Sequence, residues 1–284
     1  MSQPLTATVS DTASPNLTDY DVILVSSSAG KDSQASLDLG VEAARVADVL
    51  DRLLVVHADL GDNEWPGTGE LAAEHAAHYG LPFETVRREQ DGQVETILDR
   101  VEERGMWPDA ARRWCTSDHK RSPVRKLMTR MVTELRESGH VVGRPAHLLN
   151  VMGFRAEEGP ARRKRLPYAV NYSASNGRRR VDDWYPIHGW TLAQVWERIA
   201  SAGTRPHWAY AAGMSRLSCR FCVLASRADL VCSARLNPDL ADRYAEAEMR
   251  TGHRFRTDLS MAEIIAKARS ASSHLSVPEH GESA

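Results

Sequence analysis

Short apolar runs alternate with segments of helical periodicity along most of this chain. Residues 21–26 (Asp-Val-Ile-Leu-Val-Ser) are apolar and β-branched and end in small residues, and a helical pattern follows over 34–49. This predicts strand, tight loop, helix. The run 53–58 predicts a second buried strand, 68–79 a helix, 82–86 a third strand, 93–104 and 123–138 two more helices, and 147–153 a fourth strand. Strands that alternate with helices predict an α/β fold, a parallel sheet covered by helices on both faces. Further helical patterns at 190–202 and 239–251 lie in a mostly helical C-terminal region that carries three of the cysteines. The expected organisation is a flexible arm over 1–19, an α/β domain over 20–180, a helical, cysteine-containing region over 181–269 and a flexible tail over 270–284.

Composition adds that 284 residues, 42% of them hydrophobic, are enough to bury a core without a disulfide framework. No run approaches the roughly 18 apolar residues of a membrane span, and the first 20 residues lack the apolar segment of a secretory signal. The expectation is a cytoplasmic chain with no membrane association, whose thiols stay reduced. Net charge is only −2, yet residues 111–180 hold 17 Lys and Arg against 5 Asp and Glu. Such a basic middle suits a polyanionic ligand, nucleic acid among them. Arg178, Arg179 and Arg180 follow a polar stretch that reads as an exposed loop, where they contact nucleic acid or nothing.

The chemistry begins at Ser26-Ser-Ser-Ala-Gly-Lys-Asp-Ser33. A strand that breaks into small residues and opens a helix presents free backbone N–H groups, and these with the helix dipole bind phosphate. Gly30 and Ala29 permit close approach, Ser28 and Ser33 add hydroxyls, Lys31 a cation and Asp32 a Mg²⁺ contact. The Walker A spacing is absent. The segment resembles the pyrophosphate-binding Ser-Gly-Gly-x-Asp-Ser loop of PP-loop ATP pyrophosphatases, whose fold is that of the adenine nucleotide alpha hydrolases, with Ala29 in place of one glycine. His57-Ala-Asp-Leu-Gly61, the stretch from Gly153 to Arg162, and Tyr185-Pro-Ile-His-Gly-Trp-Thr191 with the segment up to Arg216 resemble the phosphoadenylyl-sulfate (PAPS) reductase branch. This resemblance implies that Ser26, Ser28, Gly30, Lys31, Asp32, Ser33, Asp59, Arg155 and Arg162 bind the nucleotide, with Lys31, Asp32 and Arg155 catalytic. On residue chemistry alone, Asp59 also fits a helix cap or turn acid. Gly159 stands where the family pattern has serine.

Cys219 and Cys222 form a CxxC, Cys232 follows, and Cys115 is the fourth cysteine. Four thiolates are the ligand count of a 4Fe-4S cluster or a structural zinc, and free thiols are the alternative. His119 and His207 are further ligand types. The pattern resembles the sulfur-transfer ATPase of bacterial DNA phosphorothioation systems, and that resemblance implies iron-sulfur. Sulfonucleotide reductases carry a nucleophilic cysteine in a C-terminal segment, whereas no cysteine follows Cys232 in this sequence. The leading expectation is an enzyme that uses Mg²⁺ and ATP to adenylylate a substrate oxygen for sulfur transfer. Its expected partners are a nucleotide, a sulfur donor such as a cysteine desulfurase, and DNA or a DNA-modification complex. The alternatives are an atypical PAPS or adenylyl-sulfate reductase, and a non-catalytic nucleotide- or DNA-binding subunit.

Overall fold

The computed structural model describes residues 14–273. In chain order the elements are β1 Val22–Ser27, α1 Lys31–Val46, β2 Leu53–Asp59, α2 Thr68–His78, β3 Phe83–Arg87, β4 Glu89–Gln90, β5 Gln93–Val94, α3 Ile97–Arg104, α4 Trp114–Thr116, α5 Ser122–Glu137, β6 Ala146–Val151, α6 Pro160–Arg163, β7 Tyr168–Val170, β8 Arg179–Trp184, α7 Leu192–Ala202, α8 Arg227–Leu236, α9 Pro238–Thr251 and α10 Met261–Ser273. These fall into two compact units. The first takes the chain up to His57, Gly69–Val86 and Val124–Pro206, and the second takes Ala58–Thr68, Arg87–Pro123 and the chain from His207.

The first unit is built on a six-stranded sheet of order β3-β2-β1-β6-β8-β7. β1 pairs in parallel with β2 and β6, β6 pairs in parallel with β8, and β7 closes the edge antiparallel. Alternation along β1 sends Ile23 and Val25 into a cluster with Leu37, Val41 and Ala44 of α1. Val22 and Leu24 enter a different cluster, with Leu127, Met128 and Val132 of α5. The two faces of the sheet are therefore each covered by a helix, as a parallel sheet requires, because its inner strands β1, β2 and β6 are apolar on both sides. In the second unit Trp107 stacks on Tyr244 with ring centroids 5.2 Å apart, and Phe221 and Phe255 pack beside them among the residues of α3 and α8–α10.

Several expectations need correction. Gln93 and Val94 do not open a helix. They form β5, which pairs with β4 across Asp91-Gly92, both at positive φ, the geometry of a tight hairpin. The helix begins only after Thr96, whose hydroxyl accepts from the Asp99 N–H while Asp99 accepts from the Thr96 N–H. The arm expected over 1–19 is folded from residue 14 where it is described: Leu17–Asp19 forms a 3-10 turn and Leu17 is buried. The expected tail from 270 begins inside α10, and residues 274–284 lie outside the described part. A boundary at 180/181 would cut β8, which is paired along its length to β6.

Of the arginine triplet only Arg178 lies in the turn, and Arg179 and Arg180 are strand residues. Arg179 opens β8 and is 6% exposed. Its guanidinium donates to the Ala174 carbonyl (2.8 Å), the Arg125 carbonyl (3.2 Å) and Thr129 Oγ1 (2.7 Å). Arg180 pairs with the buried Asp182 at 3.1 Å while its side chain stays half exposed, and Arg178 is exposed. Removing a buried donor strands its acceptors. Arg179→Ala is therefore expected to lower stability by about 2 kcal/mol, whereas Arg178→Ala changes it by less than about 0.5 kcal/mol in urea denaturation. Equal effects of the two substitutions would refute the structural role of Arg179.

Candidate functional site

The phosphate loop belongs to the first unit, and its shape follows from its small residues. β1 ends at Ser27, Ala29 takes a positive φ of 52°, and Gly30 precedes α1 in extended conformation with no side chain capping the helix. The N-terminus of a sixteen-residue helix is thus left open for an anion. Ser33 Oγ donates to the Gly30 carbonyl at 2.9 Å and accepts from the Ser28 N–H at 3.2 Å, while the Ser28 hydroxyl lies 3.4 Å from it. These bonds hold the loop folded back on the helix. Ser26 Oγ donates to Asn150 Oδ1 at 3.3 Å, so its role here is to tie β1 to β6.

Lys31 and Arg155 are both 5% exposed, and Asp32 holds them together. Asp32 Oδ2 lies 3.1 Å from Lys31 Nζ, and Asp32 Oδ1 accepts from Arg155 Nε at 2.6 Å. Burial alone disfavours the charge on Arg155, but Asp32, Glu157 and Glu158 outweigh it and raise the pKa of the guanidinium. Both Asp32 oxygens are committed to cations, so as the loop stands Asp32 positions Lys31 and Arg155. Arg162 pairs with Glu158, and its guanidinium carbon sits 4.3 Å from the centroid of the Phe154 ring. Gly153, which opens the stretch that resembles the family but was not among the expected site residues, also contributes. A Cβ on Gly153 would fall 2.4 Å from the Asp32 carbonyl carbon and oxygen and 2.7 Å from the Ser33 nitrogen, so this position must be glycine for β6 to deliver Arg155 to the loop. His57, buried behind the loop, donates from Nδ1 to the Ser27 carbonyl at 3.0 Å.

Asp59 ends β2, and its Oδ1 accepts from the Gly61 N–H at 2.7 Å, the arrangement of a turn acid. It belongs to the second unit, with the four cysteines. There Cys115, Cys219 and Cys222 are each partly buried and feel one another's charge, with Lys120 among them. Burial pushes the Cys219 thiol up to about 12 in spite of Lys120, and Cys115 is raised for the same reason. Lys120 itself is held protonated: burial works against its charge, and Cys219, Glu64, Cys222 and Cys115 more than offset that. Cys232 is held to other neighbours. Its thiol donates to the Ala212 carbonyl at 3.3 Å and packs with Trp65, Ala209, Met214 and Leu217. Asp229 braces this region by accepting from the Ser215 N–H (2.8 Å) and hydroxyl (2.7 Å) ahead of the CxxC.

Among the described residues no three His, Cys, Asp or Glu side chains stand close enough together to form a closed metal site. The donor chemistry of Cys115, Cys219 and Cys222 nonetheless fits a soft metal or an iron-sulfur cluster, with Lys120 offsetting the charge that three thiolates would bring. Cys232 meets that set only if the segment around Ala212 gives up its thiol. His207 is not a free ligand: Nδ1 accepts from the Ala209 N–H at 3.1 Å and Nε2 lies 3.4 Å from Thr68 Oγ1. His119 sits in a π-helical turn, Ser117–Arg121, between α4 and α5.

Loop, helix and sheet together define an α/β protein of the PP-loop kind. The family model described as phosphoadenosine phosphosulfate reductase domain matches residues 22–225, and the chain belongs to that enzyme family. No curated protein sequence matches it significantly. Among solved structures it is similar to the phosphoadenylyl-sulfate (PAPS) reductase from Candida auris in a phosphate complex, at 14% identity and a TM-score of 0.45 over 72% of this chain and 83% of that one. It is similar as well to the U34-tRNA thiolase NcsA from Methanococcus maripaludis with its [4Fe-4S] cluster, at 14% identity and a TM-score of 0.44 over 93% and 77% of the two chains. A third similarity is to Candida glabrata FMN adenylyltransferase, at 15% identity and a TM-score of 0.42 over 70% and 53%. No helix among the described residues is long and apolar enough to cross a membrane.

His119 yields a pH prediction. It is 2% exposed with Nε2 unpartnered, and burial first, then Arg88 and Arg100, depress its pKa to about 4 against the opposing pull of Glu95 and Asp118. The unfolded chain takes up a proton here near pH 6.5, and the folded chain does so only near 4. The stability this group contributes is present above pH 6.5 and falls by up to about 1.4 kcal/mol per unit as the pH drops toward 4. His119→Leu is expected to flatten that part of the stability profile measured by urea denaturation at stepped pH; an unchanged slope would contradict the assignment.

Proposed function

We propose that this protein is a PP-loop ATP pyrophosphatase that adenylylates a substrate oxygen and prepares it for sulfur transfer. The observation that carries this reading is the uncapped start of α1, where Asp32 holds the buried Lys31 and Arg155 at the phosphate loop. The loop N–H groups bind the phosphates of ATP, and Lys31 and Arg155 neutralise the charge that builds up on them. The substrate oxygen bonds to the α-phosphorus, the bond from that phosphorus to the bridging oxygen breaks, and pyrophosphate departs with the electron pair. A persulfide sulfur from a donor such as a cysteine desulfurase then bonds to the activated atom, AMP leaves with the bridging oxygen, and a dithiol reductant supplies the two electrons that cleave the S–S bond to the donor and release its thiol. Mg²⁺ on the phosphates, when bound, adds to the neutralisation. The acceptor to which the phosphorothioation resemblance points is a phosphate oxygen of a DNA backbone.

An iron-sulfur cluster held by Cys115, Cys219 and Cys222, with Cys232 as fourth ligand, would supply the sulfur and electron chemistry. Zinc satisfies the same thiolates. Iron and acid-labile sulfide near one cluster per chain after anaerobic purification, lost in Cys219→Ser, are the expected outcome; stoichiometric zinc without sulfide would overturn it.

Substrate-dependent release of pyrophosphate and AMP from ATP tests the reaction. Lys31→Ala is expected to reduce it by 100-fold or more, and Gly153→Ala, which displaces the start of α1, to lower ATP binding at least tenfold. Cleavage to ADP and phosphate would refute the proposal. The family match favours one other reading, a reductase that forms sulfite from PAPS. Thioredoxin-dependent sulfite formation without pyrophosphate release from ATP would establish that instead.

A further inference from the structure

The stretch that brings Arg155 to the phosphate loop continues into a run of four cations, Arg162-Arg163-Lys164-Arg165, through α6 and its last turn. The loop and this run both belong to the first unit. The ion pairs here are Arg155 with Asp32 and Glu157, and Arg162 with Glu158. These use every carboxylate of the stretch, and among the described residues Arg163, Lys164 and Arg165 have none. All three are exposed, as is Leu166 beside them at 67%. Exposed like charges on consecutive residues repel one another and are ordinarily relieved by interspersed acids. Here the two ends of the run, Arg162 and Arg165, are held by aromatic rings. Phe154 sits under two guanidiniums, with the Arg162 and Arg165 carbons 4.3 Å and 5.7 Å from its ring centroid, and Arg165 Nη1 donates weakly to Tyr185 Oη at 3.4 Å. A guanidinium laid over a ring keeps its N–H edge free for phosphate oxygens.

We infer that Arg163, Lys164 and Arg165 form a docking edge for the phosphodiester backbone of a nucleic acid strand and present it to the phosphate loop. Charge complementarity selects this occupant. A strand offers phosphates in series, matched by cations in series, and needs no apolar pocket, which this exposed edge does not offer. The edge is joined to the loop through Gly153 and Arg155 within the first unit, so the strand's binding surface and the phosphate loop lie on one continuous segment. The inference deepens the function proposed above by assigning the acceptor's binding surface, and it is tested without turnover.

Fluorescence anisotropy with a labelled 20-nucleotide single-stranded DNA, the same sequence as RNA, and the DNA duplex reads it directly on the full-length protein. At least one of the three is expected to bind with an affinity that falls steeply with salt. The variant Arg163→Ala/Lys164→Ala/Arg165→Ala should weaken it by tenfold or more and flatten the log–log salt slope by about two. Arg163→Lys/Arg165→Lys, which preserves charge, should retain most of the binding, and a fluorescent ATP analogue should bind all forms equally. No binding by the unsubstituted protein, an unchanged slope in the alanine variant, or equally effective competition by polyglutamate would each overturn the inference. Failed pyrophosphate release alongside charge-dependent strand binding would refute only the proposed reaction.

Discussion

The site in the first unit depends on one carboxylate. Lys31 and Arg155 are almost fully buried beside each other, and without Asp32 they would be like charges in a poorly solvated place. At an effective dielectric of about 20, two unit charges 4 Å apart interact by about 4 kcal/mol, comparable with a large share of a domain's net stability. Asp32 turns that repulsion into two attractions. It also keeps the cations in position while no phosphate is present, so an arriving phosphate meets preorganised donors. The arrangement needs Gly153, because only a residue without a side chain lets β6 run this close to the start of α1.

The second unit solves a different electrostatic problem. Cys115 and Cys219 are pushed toward the protonated form because charging a thiol is costly in an apolar surround that includes Trp114 and Phe221. Lys120 is kept charged by the same group and offers a compensating cation if protons are exchanged for metal. Binding of a metal would therefore release protons, and its affinity would rise with pH. Tyr244 closes the cluster from below: it is buried, donates to Asn63 Oδ1 and has its own ionisation pushed up by burial and by the neighbouring thiols.

Much of this was legible in the residues. The β1 strand, the loop, the central helices and the order of the first strands follow from apolar runs and small-residue breaks, which are local signals. The CxxC and the loop cations were legible as chemistry. What escaped has a non-local cause. β7 has only three residues, and β8 holds Arg179, Arg180, Asp182 and Asp183, which carry no strand signal until their partners in β6 and α5 are known. Gly153 carries no chemical signal of its own, since its importance lies in the backbone it faces. The separate surroundings of Cys232 are invisible to spacing, because a nine-residue gap fits a shared site and a different packing equally well.

The same reasoning resolves the basic middle of the chain. Seventeen cations over 111–180 are one number in the sequence but several physical roles in the fold. Arg179 and Arg136 donate to backbone carbonyls, Arg144 pairs with Asp21, and Arg155 is part of the phosphate site. A buried arginine that satisfies carbonyls keeps its charge but has few N–H groups to offer a polyanion, because fixed partners take most of them. The excess that matters for recognition is the part left uncompensated at the surface, and next to the phosphate loop it narrows to three consecutive residues. Net charge over a segment thus locates a region worth inspecting, whereas pairing within the fold decides which of its charges are available to a ligand.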